Sequence, residues 1–263
     1  MIGKHLLHNN TDVFACEIAP IGSHLYYSIL FCKKNTREKI LALRGIENKF
    51  QNIRSKSNEP QIVQMQFDFW ENELTCSHPQ HPITQYLQSQ NLIDERLMAI
   101  LKAYKSDAYI QLYEHQVDII NYYKNTRESL EKIIIEDEFL QNFGSFIGRA
   151  EFLIYLREYI QKGKIYFSGE QLLKHHVTLY DLSRHQKSAS VEGLLQDELN
   201  QLKTYWESLD IDLKKLKKLR PSYILAKMYY KQLQEIEKNI FVIFTHKIDL
   251  TPIRKLWIAL QYA

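Results

Sequence analysis

The chain has 263 residues, of which 45% are hydrophobic, and contains only 8 glycines and 6 prolines. So few turn-forming residues favour long helices with short connections. A net charge of +3 argues neither for nor against nucleic acid, but no long basic stripe interleaved with aromatics is evident, so we expect no nucleic acid partner. Cys16, Cys32 and Cys76 have no CxxC spacing, which indicates a reducing compartment and no disulfide framework.

Membrane and export signals are lacking in the sequence. The N-terminus has no apolar core of a secretory signal, and the apolar segments fall short of the roughly 18 to 20 residues that a spanning helix needs. We therefore expect a cytoplasmic protein. Peripheral membrane attachment, or the matrix side of a mitochondrial membrane in a eukaryote, are the alternatives.

The predicted elements are helical apart from one short extended segment. Residues 1–19 lack periodicity and are interpreted as an N-terminal extension of a single domain covering 1–263. Helices are predicted at about 23–33, 36–55, 61–75, from 83 onward, 93–105, 113–136, 144–162, 172–182, 191–209, 221–245 and 252–261, with extended chain at about 164–167.

Capping residues and apolar periodicity support several of these helices. Thr36 is a candidate N-cap, Gly163 a candidate C-cap, Pro221 a first-turn residue, and Thr251 a cap of the last helix. Apolar residues at three- and four-residue steps predict a buried stripe on the second and third helices. The stripes consist of Ile40, Leu43, Ile46 and Phe50, and of Val63, Phe67, Trp70 and Leu74.

Several short segments, in order along the chain, resemble motifs of one enzyme family. They are Ala42-Leu43 at the start of a helix, Phe69-Trp70-Glu71 with Glu73-Leu74, His81-Pro82, Leu156-Arg157-Glu158, Gly163-Lys164-Ile165-Tyr166-Phe167, and Tyr223, Leu233, Ile236, Leu250, Lys255 and Leu256. Their order and spacing over about residues 23–258 resemble the squalene/phytoene synthases. The resemblance implies an all-α, isoprenoid-synthase-like helical bundle around a central cavity.

A second set of segments resembles one branch of that family more closely. It comprises Ala42-Leu43-Arg44, Met65-Gln66-Phe67, Asp107-Ala108-Tyr109 and YYKNTRESL from Tyr122 to Leu130. These segments are similar to the branch that contains the mitochondrial complex I assembly factor, in which the aspartate motifs are degraded. The resemblance implies a role in supporting a membrane complex, with a subunit of that complex as the partner.

The carboxylates that the family's chemistry requires are missing at most of the matching positions. Condensing allylic diphosphates requires Mg²⁺ held by two DxxxD-like motifs on facing helices. At the first motif this chain has Gln51, Asn52 and Ser55. At the second it has Glu158 followed by Lys162. We expect no metal site, no cofactor, and Mg²⁺ only if the chain is an active prenyltransferase.

Two further groups of basic residues are candidate binding sites. Phosphate could be bound without metal by Arg54, Arg157, Lys162, Lys164 and Tyr166. The alternative is that the basic side chains lie at helix ends, where the dipole favours them. The run KKLKKLR at 214–220 could contact anionic lipid or an acidic partner through Lys214, Lys215, Lys217, Lys218 and Arg220.

Three functions remain open from the sequence. The first is a family member without catalysis, acting by binding as an assembly factor. The second is an active prenyltransferase that makes squalene- or phytoene-like products. The third is an isoprenoid- or lipid-binding protein that retains the cavity without the chemistry.

Overall fold

The computed structural model describes residues 16–57, 59–136, 143–209, 216–245 and 248–262, with only the backbone described at 216–218. Throughout these residues the regular structure is helical, and no strand occurs among them. The predicted all-α fold is therefore confirmed. Most of the predicted N-terminal extension lies outside the described residues.

The helices are shorter and more numerous than the sequence predicted, and one π-helical turn, Lys124–Glu128, lies between α7 and α8. Their bounds are α1 His24–Ile29, α2 Lys34–Gln51, α3 Ile53–Lys56, α4 Pro60–Thr75, α5 Pro82–Ser89, α6 Glu95–Asp107, α7 Gln116–Tyr123, α8 Ser129–Ile135, α9 Phe143–Ile154, α10 Leu156–Gln161, α11 Gly169–Lys174, α12 Leu179–Ser183, α13 Ala189–Ser208, α14 Leu216–Ile236, α15 Val242–Thr245 and α16 Pro252–Gln261.

The two predicted apolar stripes lie in the core. The four stripe residues of α2 are at most 3% exposed, and the four of α4 are at most 7% exposed. Both helices pack against α6, so the stripes face a common interior. Burial of this kind contributes roughly 1.5–3 kcal/mol for each large apolar side chain and explains why the periodicity predicted these helices correctly.

The helix predicted at 36–55 is in fact two helices that meet at Asn52. This residue leaves the helical conformation (φ −91°, ψ 1°), and its side-chain amide donates a hydrogen bond to the Asn48 carbonyl at 2.8 Å. Asparagine side chains compete in this way with the helical hydrogen bonds. Gln51 and Ser55 therefore lie on different helices, and the expected i, i+4 arrangement on one helix is wrong.

Other predicted boundaries are corrected in the same way. Lys33, rather than Thr36, occupies the N-cap position of α2. Pro221 lies inside α14 instead of in its first turn. The helix predicted at 144–162 is broken at Tyr155 (φ −105°, ψ 28°). Gly163, with φ +68°, follows the end of α10 as a C-cap glycine should, so that prediction is confirmed.

The turn between α4 and α5 is held by Glu73. Its carboxylate accepts hydrogen bonds from the backbone N–H groups of Gln80 (3.0 Å) and His81 (2.9 Å) and from the Thr84 hydroxyl (2.6 Å). Burial opposes ionisation, but these bonds more than offset it and lower the pKa of the Glu73 carboxyl below its usual value. The rings of Trp70 and His81 pack with centroids 4.9 Å apart. Motif residues of this segment thus stabilise the fold.

The π-helical turn packs against α9 at a distance that requires glycine. A Cβ atom at Gly144 would lie 2.3 Å from the Arg127 carbonyl oxygen, and one at Gly148 would lie 2.6 Å from a ring carbon of Tyr123. A side chain at Gly144 would therefore force the π-helical turn away from α9, and one at Gly148 would displace the Tyr123 ring at the end of α7. This close packing places Arg127 directly beside α9, the helix that carries Glu151.

Candidate functional site

The side chain of Gln51 lies between the two helical regions that correspond to the metal-binding motifs. Its amide nitrogen donates to the Tyr159 hydroxyl on α10 at 2.8 Å, and its amide oxygen accepts from Arg127 at 3.2 Å. Nearby, Lys162 donates to the side-chain oxygen of Asn52 at 3.3 Å. The end of α2 therefore faces α10, as the resemblance implied, but neutral and basic side chains make the contacts.

Ser55 and Glu158 take no part in this contact. The Ser55 side chain is exposed and donates its hydroxyl hydrogen to the Asn52 carbonyl at 2.8 Å. Glu158 is exposed on α10.

Charged side chains form a buried network behind Gln51. Arg127 donates to Glu47 at 2.8 Å, and Arg44 donates to the same Glu47 carboxylate at 3.0 Å. Arg44 also pairs with Glu131. Tyr104 donates its hydroxyl hydrogen to Glu47 at 3.0 Å. These charged residues are between 1% and 8% exposed, so the network lies inside the helical bundle.

Glu151 extends the network to the opposite helix. Its carboxylate accepts from Arg127 at 2.8 Å, so this guanidinium bridges α2 and α9 through Glu47 and Glu151. Burial disfavours the charged form of Arg127, but the two carboxylates overcome this and hold its pKa well above the usual value. Arg127 is therefore a permanent cation at the centre of the site.

The network forms one wall of a cavity of about 470 Å³. This volume falls within the range typical of small-molecule sites. Polar residues from several elements line it, together with apolar residues such as Leu25, Ile147 and Leu225. The polar and aromatic lining includes His24, Asn48, Gln51, Tyr155, Tyr229 and Asp249.

The described residues do not fit a magnesium cluster. No group of three or more His, Cys, Asp and Glu side chains in the described ranges could hold a metal ion. At the first motif, the oxygen of Gln51 already accepts from Arg127, a cation that would repel Mg²⁺. At the second, Lys162 stands where a second carboxylate is needed. No reaction step through a bound metal follows from this arrangement.

The candidate phosphate-binding residues have partners within the protein. Arg54 donates to the Ala108 carbonyl, and Arg157 donates to the Thr245 carbonyl at 3.3 Å. Lys164 forms a buried ion pair with Asp107 at 2.7 Å.

The hydroxyl of Tyr166 also donates to Asp107, at 2.9 Å. Because the single hydroxyl hydrogen of Tyr166 is used by Asp107, Tyr166 could donate to a phosphate only by giving up this bond. Phosphate binding by the whole set of candidates stays a prediction.

The basic run at 214–220 falls mostly outside the described side chains. Lys214 and Lys215 lie outside the described residues, and the side chains of Lys217 and Lys218 are not described. Arg220 is half-buried in the first turns of α14. Binding of lipid or of an acidic partner by this run therefore also stays a prediction.

Solved structures with a similar fold include a dehydrosqualene synthase and a squalene synthase. A dehydrosqualene synthase in complex with ligand is 15% identical, with a TM-score of 0.75 over 96% of this chain and 94% of that chain. The squalene synthase HpnC from Alicyclobacillus acidocaldarius is 15% identical, with a TM-score of 0.67 over 87% and 93%. YisP from Bacillus subtilis subsp. subtilis strain 168 is 12% identical, with a TM-score of 0.62 over 95% and 93%.

These comparisons show both the fold of the chain and the family to which it belongs. The fold is the all-α bundle of squalene and dehydrosqualene synthases, as predicted. Residues 18–255 match the squalene/phytoene synthase family, and the chain therefore belongs to that family. No curated protein sequence matches the chain. The assembly-factor branch stays a prediction.

The central network was not predicted from the sequence. Arg44, Glu47 and Gln51 fall at three- and four-residue steps along α2, immediately beside the buried apolar stripe. Polar residues in that position are a signal of a buried polar cluster. Their partners could not be read from the sequence, because Arg127 is 80 residues from Glu47 along the chain.

Replacing Arg127 by Met should destabilise the protein strongly. The change leaves the buried Glu47 and the partly buried Glu151 without their shared cation, a defect that typically lowers the free energy of unfolding by about 3–5 kcal/mol. The matched control is Lys203→Met, which removes a pair of 2.6 Å with Glu237 at the surface and should cost within about 1 kcal/mol. Urea unfolding measures both variants.

Adding Glu151→Gln to Arg127→Met should recover part of the loss, since one uncompensated carboxylate is removed. Equal, small effects of Arg127→Met and Lys203→Met would contradict the account of the network.

Proposed function

We propose that this squalene/phytoene synthase family protein has lost metal-dependent prenyl transfer and works by binding. The observation that carries the proposal is the position of Arg127. Its guanidinium bridges Glu47 and Glu151 and contacts Gln51, the residue at the first metal-ligand position. In the family's reaction Mg²⁺ would supply positive charge at this position, whereas in this chain the guanidinium of Arg127 supplies it from within the protein.

Arg127 and Arg44 do not replace the metal in ionising a diphosphate. A leaving diphosphate needs cations that approach its oxygens directly. Both guanidiniums are instead bound to carboxylates of the network, Arg44 to Glu47 and Glu131. Taking either guanidinium away from its carboxylates would leave buried negative charge unpaired beside the diphosphate.

The cavity wall also disfavours the alternative of an isoprenoid carrier. A prenyl chain is apolar and is bound best by apolar walls. Here Glu151, Gln51 and Arg127 line the cavity. Covering such groups with hydrocarbon removes water without replacing its hydrogen bonds, at a cost of about 1–3 kcal/mol for each unsatisfied group.

Purified protein should not convert farnesyl or geranylgeranyl diphosphate in the presence of Mg²⁺. Because Gln51 and Lys162 stand where the family's motifs require carboxylates, no magnesium cluster is expected to ionise the substrate. Product analysis should find no squalene, phytoene or cyclopropyl intermediate above a no-enzyme sample, with a dehydrosqualene synthase as positive control. Product above background would support the alternative of an active prenyltransferase and overturn the proposal.

The binding role that we propose is at an anionic membrane surface, in support of a membrane complex. The resemblance to the assembly-factor branch supports this role. None of the described helices combines the length and apolar character that crossing a bilayer requires. The attachment that we propose uses a face of the folded protein.

Helix α16 presents such a face. Ile253, Leu256, Trp257 and Leu260 are between 37% and 80% exposed, at steps that place them on one side of the helix. The helix contains no acidic residue, so nothing on it repels anionic lipid. Tryptophan is favoured at the boundary between lipid and water. These features fit partial insertion of α16 into the headgroup region.

The double variant Trp257→Ser, Leu260→Ser should release the protein from anionic vesicles. Losing two large apolar contacts should weaken partitioning at least about tenfold. Leu173→Ser is the matched control, since Leu173 is 77% exposed on a different helix, α11. Co-sedimentation with phosphatidylglycerol-containing vesicles at low salt measures the effect.

Reversing Lys214, Lys215, Lys217 and Lys218 to Glu in the same assay tests whether the basic run adds to binding. A wild-type chain that ignores these vesicles, or an equal loss in Leu173→Ser, would refute membrane docking by α16 and leave a protein partner as the alternative.

A further inference from the structure

The central network carries more negative than positive charge. Its carboxylates belong to Glu47, Glu131 and Glu151, whereas its guanidiniums belong only to Arg44 and Arg127. Four of these five residues are at most 8% exposed. Buried charge that is not matched within the protein favours a counter-ion from outside.

The unmatched charge faces the cavity at Glu151. Glu47 accepts from Arg44, Arg127 and Tyr104. Within the described part of the chain, the Glu151 carboxylate pairs with the Arg127 guanidinium alone, and its side chain is 23% exposed and lines the cavity. Of the network's carboxylates it is thus the one best placed to accept a further donor.

Glu131 is satisfied away from the cavity. It pairs with Arg44 and accepts a hydrogen bond from the Ser222 hydroxyl, and it does not line the cavity. The rim adds no net charge, because Lys255 forms an ion pair of 2.7 Å with Asp249. Among the described residues, therefore, neither Glu131 nor the Asp249–Lys255 pair neutralises the excess charge.

Aromatic groups stand beside Glu151. Tyr229 lines the cavity and stacks on His24, with ring centroids 5.0 Å apart. Burial and the charge of Glu151 raise the pKa of Tyr229 well above its usual value, so the phenol stays neutral at physiological pH. A carboxylate next to a tyrosine ring is a suitable environment for an organic cation, which is attracted by both groups.

We propose that the cavity binds a small organic cation, an ammonium attached to a short apolar or aromatic group. The ammonium would pair with Glu151, and the apolar group would lie between Tyr229 and Leu225, which both line the cavity. This site goes beyond the proposed loss of prenyl transfer and membrane docking, although it occupies the same cavity that the lost chemistry would have used.

Calorimetric titration with phenethylammonium tests the site in the full-length protein. We expect saturable binding of one equivalent, with no saturable binding of 2-phenylethanol, which has the same shape without the charge, or of inorganic pyrophosphate. Glu151→Gln should weaken phenethylammonium binding about tenfold or more, since it removes a charge-assisted hydrogen bond. Glu237→Gln, at the surface, is the matched control and should bind like the wild type.

Two further variants keep the test valid if Glu151→Gln perturbs the fold, which circular dichroism would reveal. Asn48→Asp places an additional carboxylate in the exposed part of the cavity lining and should tighten binding severalfold. Glu151→Asp should retain part of the affinity.

Equal binding of the alcohol and the ammonium, no saturable binding of the ammonium, or wild-type affinity in Glu151→Gln would each overturn the cation site. These outcomes leave the absence of prenyl transfer untouched, because the turnover assay alone decides it. Binding of pyrophosphate in place of the ammonium would also overturn the cation site.

Discussion

Arg127 bridges Glu47 and Glu151, with its guanidinium 2.8 Å from each carboxylate. The central part of the structure depends on this interaction. A buried guanidinium is tolerated only when its charge is paired, so this side chain holds α2 and α9 at a fixed separation. Gly144 makes the arrangement feasible, because a Cβ at that position would clash with the Arg127 backbone. Packing and electrostatics thus meet at one residue of the π-helical turn, a kind of helical irregularity that is frequent at functional sites.

The same network explains how the chain can keep the fold of the family without the carboxylates of the family's metal-binding motifs. Gln51 at the first metal-ligand position is engaged by Arg127 and Tyr159, and Lys162 contacts Asn52 across the gap between the two helices. Each contact satisfies a group that would otherwise call for an external ligand. These contacts leave the cavity beside Glu151 unfilled. Its walls are partly polar and aromatic, whereas an isoprenoid chain is bound best by apolar walls.

Sequence reasoning predicted the fold well and the site only in part. The apolar periodicity of α2 and α4 can be read from residues that are close in the sequence, because the same residues are buried in the fold. The two helices were therefore predicted correctly. The break at Asn52 was missed because a single side-chain hydrogen bond to Asn48 decides it. The network was missed because its bonds join distant segments, as when Glu131 pairs with Arg44, 87 residues earlier. The position of Gln51 facing α10 followed from the family resemblance, whereas the exposure of Glu158 could not be inferred from it.

The central claim is that fixed internal charges have taken the place of a metal cluster. The most direct measurement is calorimetric titration of the wild-type chain with Mg²⁺, alone and in the presence of inorganic pyrophosphate. With Arg127 at the centre, Gln51 and Lys162 at the ligand positions, and Glu158 exposed, the account predicts no saturable Mg²⁺ binding under either condition. A saturable, stoichiometric Mg²⁺ site that strengthens when pyrophosphate is added would contradict it.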